Sequence, residues 1–347
     1  MVRRLVTLVV SGALVAVLCV VGWFLPVPYV REAPGPTFNT LGSVDGTKVV
    51  RISGHETYPA KGHLNMTTVS VVGGPGNEPS LGQALTGWVD GRVSVVPEEI
   101  YYPEGATEQE VKRRSAEQFK SSESAGTVAA LRYLDIRVHE RVVIKKVQDG
   151  RPAKGKLRAG DRVVAVDGVR THTLAAVQRV SGKHEPGETV RYTVRRHGDK
   201  RTVPIKTVAD PNAQDRAIVG IILETDYSYP GDVTISLENI GGPSAGLMFS
   251  LAVVDLLTPG ASTGGRFVAG TGTMDTDGNV GPIGGIAQKM TAARAAGATV
   301  FLTPAGNCKQ ALGTRPDGLK LVKVETLQDA VHALKALRTE KGSVPRC

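Results

Sequence analysis

Gly241-Gly-Pro-Ser-Ala-Gly246 runs directly into Leu247-Met-Phe-Ser-Leu-Ala-Val-Val-Asp-Leu-Leu257, and downstream stands Gly281-Pro-Ile-Gly-Gly-Ile-Ala-Gln-Lys-Met-Thr-Ala-Ala-Arg-Ala-Ala-Gly297. The first stretch predicts a helix apolar on nearly all faces, and such a helix is buried. Ser244 falls at its start, where unpaired amides and the positive end of the helix dipole can receive an oxyanion. The neighbouring glycines let a substrate backbone approach. An N-capping serine before a core helix is the plain structural alternative. In the second stretch Ile286, Met290 and Ala293 recur at i, i+4 and i+7, with Gly297 placed to end the helix. Lys289 lies at i+3 on that apolar stripe, where desolvation favours the neutral amine. A snorkelling lysine with its head in water is the alternative. A neutral amine near a serine hydroxyl is what a Ser-Lys hydrolase uses as its general base.

Around these stretches lie 347 residues, 41% hydrophobic and 22% charged, enough for two or three domains and unlike a disordered polymer. Three cysteines exclude a disulfide-dense scaffold, and only Cys308 and Cys347 lie outside the apolar N-terminal run and could pair. No metal is expected, because His55-Glu56 has His63 as the next histidine and His-Glu-x-x-His is absent. The net charge of +9 invites a nucleic-acid reading. Residues 137–206, however, carry eighteen basic against seven acidic side chains, more than the whole excess, with Tyr192 the lone interleaved aromatic. A solvated basic face fits that pattern better, so no nucleic-acid partner is expected.

Residues 5–25 carry no charge over 21 positions, the length a bilayer crossing needs, and Arg3 and Arg4 precede them. The run exceeds the apolar core of a signal peptide and no small-x-small site precedes Pro26, so 1–25 is expected to be a cytoplasmic tip and retained anchor. The positive-inside bias then places the remainder on the extracytoplasmic face of a single-pass cell-membrane protein. Pro26-Val-Pro28 and Ala33-Pro-Gly-Pro-Thr37 predict an extended stalk over 26–46. Within 47–126, residues 47–53 and 63–72 predict strands, the second from its β-branched alternation, and 80–126 reads as polar and helical without chemistry of its own.

From 127 to 208 the pattern changes to a short helix, then strands punctuated by Gly150-Arg-Pro152, Gly160-Asp161 and Asp167-Gly168. With Leu157-Arg-Ala-Gly160-Asp161 ahead of Asp167-Gly168, a helix near 174–180 and a strand over 189–195, the segment resembles a PDZ domain. That resemblance implies a peptide accepted as an added strand, its terminal carboxylate held on backbone amides. By order along the chain the carboxylate loop is expected at Tyr133-Leu134-Asp135-Ile136, where Asp135 replaces the glycine common in bacterial relatives and would oppose a carboxylate.

Over 215–338 the sequence resembles the Lon peptidase family. Pro243-Ser-Ala-Gly246 matches the family's nucleophile motif, and Gly281-Pro-Ile-Gly-Gly285 followed by Lys289, 45 residues beyond Ser244, matches its lysine motif. The resemblance implies Ser244 as nucleophile, Lys289 as base, Thr271 in Gly270-Thr-Gly272 as a residue bonded to the dyad, and Gly242 and Pro243 as supports. An early strand at 63–72 also resembles the Lon fold, which would make the PDZ module an interruption of a peptidase domain. The order of anchor, PDZ and peptidase resembles the membrane-anchored PDZ-containing Lon-like proteases of bacteria. The expected fold class is therefore α+β, with an N-terminal transmembrane helix, a PDZ domain and a Lon-type proteolytic domain. Gly155-Lys156 is followed by Leu157 and Gly182-Lys183 by His184, so the sequence holds no Walker loop. The expected enzyme is an ATP-independent serine endopeptidase without cofactor, cleaving unfolded or flexible segments selected in part by the PDZ domain. Its expected partners are protein or peptide substrates and the membrane, with a homo-oligomer left open.

Gly242-Pro-Ser244-Ala-Gly246 also satisfies the Gly-x-Ser-x-Gly elbow of α/β-hydrolases, but His332 is the only later histidine and sits on an amphipathic pattern. Trypsin-like Gly-Asp-Ser-Gly and penicillin-binding Ser-x-x-Lys motifs are absent. The rival from another class is a membrane-tethered PDZ adaptor that keeps the peptidase fold as a platform. Intact Ser244, Lys289 and Thr271 argue against it.

Overall fold

The computed structural model describes residues 2–347 and divides into two compact units, one built from the chain up to Asp135 together with Gly231–Cys347, the other from Ile136–Pro230. The apolar N-terminal run forms α1 (Val2–Trp23), none of whose residues is buried. The chain then extends as β1 (Tyr29–Asn39), β2 (Val50–Ser53) and β3 (His63–Val72), followed by α2 (Leu81–Val89), β4 (Ser94–Pro97) and α3 (Glu108–Tyr133). The second unit contains β5 (His139–Val147), β6 (Arg162–Val166), α4 (Leu174–Ser181), β7 (Thr189–Arg196), β8 (Asp199–Lys206) and β9 (Ile221–Ser228). Back in the first unit come β10 (Asp232–Ile235), α5 (Gly246–Leu257), β11 (Phe267–Gly270), α6 (Ile286–Ala295), β12 (Val300–Pro304), β13 (Lys320–Val324) and α7 (Leu327–Thr339). Capping boxes start three of the helices, Ser80 with Gln83 at α2, Thr107 with Glu110 at α3 and Thr326 with Asp329 at α7.

The first unit is organised by a six-stranded sheet in the order β13-β12-β11-β3-β1-β4. Its β11, β12 and β13 are parallel, β11 also runs parallel to β3, and β1 is antiparallel to both β3 and β4. Alternate residues of a strand face opposite ways. Val268, Val300, Leu302 and Val322 accordingly join Leu64, Met66 and the apolar residues of α5 in one core, while Ala269, Phe301 and Leu321 join Ile286, Met290 and Ala293 of α6 in another. The helices α5 and α6 therefore cover opposite faces of the sheet. A disulfide links Cys308, just after β12, to Cys347.

Residues 26–46 do not form a stalk. Tyr29–Asn39 lies inside the sheet, paired with β3 from Arg31↔Val72 to Asn39↔Asn65 and with β4 over Tyr29–Glu32. The prolines that suggested a spacer are accommodated by a register shift between Pro34 and Thr37, beyond the stretch that β4 covers. Gly35 is required there, since a Cβ would lie 2.5 Å from Thr68 Oγ1 and 2.9 Å from the backbone of Thr68 and Val69.

The second unit is an antiparallel sheet in the order β8-β7-β6-β5-β9 around a core of Val142, Ile144, Leu157, Val166, Val190 and Ile205 with their neighbours. Asp161, from the Gly160-Asp161 turn, is 1% exposed. Both its oxygens accept from Arg196, each at 2.6 Å, and Oδ2 also accepts the Arg158 N–H at 2.9 Å. Burial alone would raise its carboxyl, but the Arg196 guanidinium and the Arg158 amide hold it below the ordinary aspartate range. Breaking a buried pair from one side leaves the other charge uncompensated, at a cost of about 3 kcal/mol. Asp161→Ala should lower by that amount the opening free energy of β6 and β7 measured by native-state hydrogen exchange; unchanged protection would show the pair to be dispensable.

Candidate active site

Ser244, Thr271 and Lys289 arrive from three separate elements and meet at the C-terminal end of β11. Ser244 stands two residues before α5, in a loop braced by α3: the Gly242 N–H donates to Ser115 O at 3.0 Å and Ser122 Oγ donates to Pro243 O at 3.0 Å. Gly242 has φ +84°, and at Gly241 a Cβ would sit 2.0 Å from Ser115 Oγ, so this loop needs both glycines. The Ser244 carbonyl accepts from Gly272 N–H at 2.9 Å and from the Thr271 hydroxyl at 3.0 Å. In the first turn of α5 the Leu247 N–H is taken by Gly272 O, and those of Met248 and Phe249 by Ala245 O.

Lys289 reaches in from α6 and is 2% exposed. Its Nζ lies 2.6 Å from Ser244 Oγ and 3.0 Å from Thr271 Oγ1. The Thr271 proton is committed to the Ser244 carbonyl, so Thr271 Oγ1 can only accept from the amine. That fixes one N–H of Lys289 and leaves the nitrogen lone pair for the serine hydroxyl. Burial pushes the lysine down from its usual range to about 8, with the charge of Glu32 acting in the opposite sense.

Glu32, on β1, was missed by the reading of residues 26–46 as a stalk. It is 6% exposed, accepts a hydrogen bond from the Tyr101 hydroxyl and faces the same cleft as Ser244 and Lys289. Burial raises its carboxyl above the usual glutamate range, while the Lys289 charge pulls it back. The cleft has a volume of about 980 Å³, with apolar walls from Val69, Val71, Tyr102 and Ile283. The polar helix α3, read from sequence as carrying no chemistry, thus supplies Ser115 and Ser122 to the loop that holds Ser244; no local signal separates those serines from solvated ones. Among the described residues there is no group of His, Cys, Asp and Glu able to hold a metal ion.

The expected carboxylate loop is divided between the end of α3 and the start of the second unit. Tyr133 ends α3, Leu134 caps it, and both pack against the core around α5. Asp135 follows with φ +57°, and Ile136 begins the next unit. The cause is the length of α3, whose buried face continues through Leu131. The sheet of the second unit has β8 at one edge and β9 at the other, and β9 pairs with β5 from Ile221↔Val147 to Ser228↔His139 and lies beside α4. Gly220 precedes it with φ +79°, where a Cβ would meet the Arg151 side chain at 2.1 Å.

Residues 239–336 match the Lon protease (S16) C-terminal proteolytic domain and residues 117–207 match a PDZ domain. The chain carries a PDZ domain and a Lon-type proteolytic domain. It is similar to the Lon protease of Citrifermentans bemidjiense, 43% identical over 79 residues, which are 23% of this chain and 10% of that protein. It is also similar to Lon protease 2 of Bacillus subtilis, 32% identical over 109 residues, or 31% of this chain and 18% of the other. The match thus spans less than a fifth of those relatives. Among solved structures, the PDZ domain of the SdrC-like protein of Listeria monocytogenes is 25% identical, covering 24% of this chain and 85% of its own, with a TM-score of 0.22. All five residues expected at the catalytic end, Ser244, Lys289, Thr271, Gly242 and Pro243, fall within the Lon-type match.

The Glu32 charge opposes the lowering of Lys289, so its removal must carry the lysine further below about 8. Glu32→Gln is expected to move the acid limb of the kcat/KM profile to lower pH. An unmoved limb would show that Glu32 is protonated throughout the working range.

Proposed function

We propose that the chain is an ATP-independent serine endopeptidase using a Ser244–Lys289 dyad, and the observation that carries this is the buried amine 2.6 Å from the serine hydroxyl. A lysine that loses its proton near pH 8 is available as a base where an exposed lysine is not. Neutral Lys289 takes the Ser244 proton as the hydroxyl oxygen attacks a peptide carbonyl. The resulting ammonium gives that proton to the leaving amine, and water repeats the sequence to release the acyl group. The amides ahead of Leu247 at the start of α5 receive the oxyanion, aided by the helix dipole. Thr271 is a positioning residue that aims the amine.

Activity should rise with pH through about 8, because only the neutral form is competent and burial is the dominant cause of the lowering. Ser244→Ala and Lys289→Met should reduce turnover by several orders of magnitude, roughly the loss seen when a catalytic nucleophile or base is removed. A fluorophosphonate should label Ser244 in the parent chain. Turnover retained by either variant would sink the dyad, whereas a parent chain that neither turns over peptide nor takes up the label would favour the adaptor reading.

The 22-residue helix α1 contains an 18-residue stretch of mean hydropathy 2.7 and has no buried residue, which supports a membrane anchor, and Arg3 and Arg4 in its first turn support an extracytoplasmic peptidase. The Cys308–Cys347 disulfide fits an oxidising compartment. With no Walker loop in the sequence, substrates are segments already unfolded or flexible. They are selected by addition of a strand at the edge of β9 beside α4, with Gly220 in place of the aspartate that argued for weak recognition. Tethering a bound peptide raises its local concentration at the peptidase. Replacing residues 136–230 by a short linker should therefore raise KM for protein substrates while a short peptide is still cleaved. Equal effects on both would assign the PDZ domain another task.

A further inference from the structure

The end of α1 is not loosely connected to the peptidase unit. Leu81 N–H donates to Leu25 O at 2.8 Å and Val27 N–H donates to Pro79 O at 3.0 Å, while Pro26 and Ser80 form a β-bridge. The Trp23 indole lies so close over Gly82 that a Cβ there would come within 2.2 Å of it. Helix α2 is therefore built onto the last turn of the apolar helix, through a contact only glycine permits.

The composition of α2, Leu-Gly-Gln-Ala-Leu-Thr-Gly-Trp-Val, contains no charge. Its inner side buries Gly82, Ala84 and Gly87. Its outer side presents Leu85, Trp88 and Val89, at i, i+3 and i+4, which are 40%, 53% and 88% exposed. Phe24 and Leu25, at the end of the apolar run, are 72% and 53% exposed, and Ile100, on a short helical turn after β4, is 70% exposed. A soluble surface seldom leaves such residues grouped. Tryptophan beside aliphatic side chains on a short uncharged helix, continuous with a spanning helix, suits the boundary between headgroups and acyl chains.

We propose that α2 is a membrane foot, lying in the outer leaflet beside α1, and that it holds the Ser244–Lys289 cleft at a set height so that the protease acts on flexible juxtamembrane segments of membrane-attached proteins. The occupant of the apolar face is lipid. The foot carries no basic cluster, so insertion and not attraction to anionic headgroups supplies the affinity. The height follows from β1. Only six residues, 26–31, separate Leu25 from Glu32 in the cleft, and the seven steps between them at about 3.3 Å per extended residue allow no more than about 23 Å. Hydrogen bonds at Leu25 and Val27 and the pairing of Tyr29–Glu32 with β4 deny this connection the freedom of a stalk. The inference rests on the membrane-anchor reading proposed above.

The chain has two tryptophans, Trp23 and Trp88, which makes the test direct. The full chain is reconstituted into phosphatidylcholine vesicles containing lipids brominated either near the headgroup or near the chain end. In Trp23→Phe, the remaining Trp88 is expected to lose intensity most with bromine near the headgroup and to resist aqueous acrylamide. Trp88→Phe reports Trp23 in the same way. Quenching of Trp23 without quenching of Trp88 overturns the foot while leaving the anchor, whether Trp88 is then open to acrylamide or shielded by protein. No quenching of Trp23 overturns the anchor and the foot with it. For the substrate class, a lipid-anchored peptide with its cleavable segment next to the bilayer should be cut faster than one holding the same segment on a long polar spacer. Equal rates, or faster cleavage of the distant segment, would overturn the height constraint.

Discussion

A lysine amine is neutral near neutral pH only where water cannot stabilise its charged form, and much of the peptidase unit is arranged around the burial of Lys289. Its helix lies across β1 and β3, with Ile286, Met290 and Ala293 sunk into an apolar core. The side chain passes from that layer to the end of β11, where Thr271 and Ser244 supply its polar partners. Two faces of one sheet thus contribute one group each, and Gly270-Thr271-Gly272 is where they meet. Glycine at 270 is required by the packing of α5 on β11, since a Cβ there would press on Met248 and Leu302.

Dryness has a second consequence. A buried cation attracts a compensating anion, and Glu32 occupies that role from β1 without forming a close ion pair with Lys289. Its influence is electrostatic at a distance, so it moderates the lowering of the amine. The Tyr101 hydroxyl, from the turn after β4, satisfies one of its oxygens. The electrostatics of the site therefore depend on a segment far from Ser244 and Lys289 in sequence.

The second unit meets a different constraint. A small antiparallel sheet has two edges, and here β8 forms one and β9 the other. An edge with unpaired amides is a liability in most proteins and a binding device in a domain that recruits peptides. Its rigidity comes from within, through the apolar core and the Asp161–Arg196 pair, which fixes the turn between β5 and β6.

The order of elements along the chain, the strand at 63–72, the apolar span and the motifs that bring Ser244 and Lys289 together were all legible in the sequence, because each leaves a local periodic or motif signature. Lysine at i+3 on an apolar stripe announces its own burial. By contrast, Glu32 sits beside Pro34-Gly35-Pro36, whose local chemistry says spacer, and only the bulge opposite β3 turns that stretch into a strand. Ser115 and Ser122 look like any serines on a polar helix until the Ser244 loop is placed against them. The strand that lies beside β5, β9, comes about 75 residues later in the chain, since strand neighbours are chosen by closure of a core and not by sequence proximity. What the sequence by itself determined was the chemistry available at Ser244 and Lys289 and the membrane-length helix, properties of residues and their immediate spacing. The tertiary structure alone decided which distant groups share the low-dielectric cleft and which edge stays open, because charge coupling and sheet pairing depend on distances through space that no local pattern encodes.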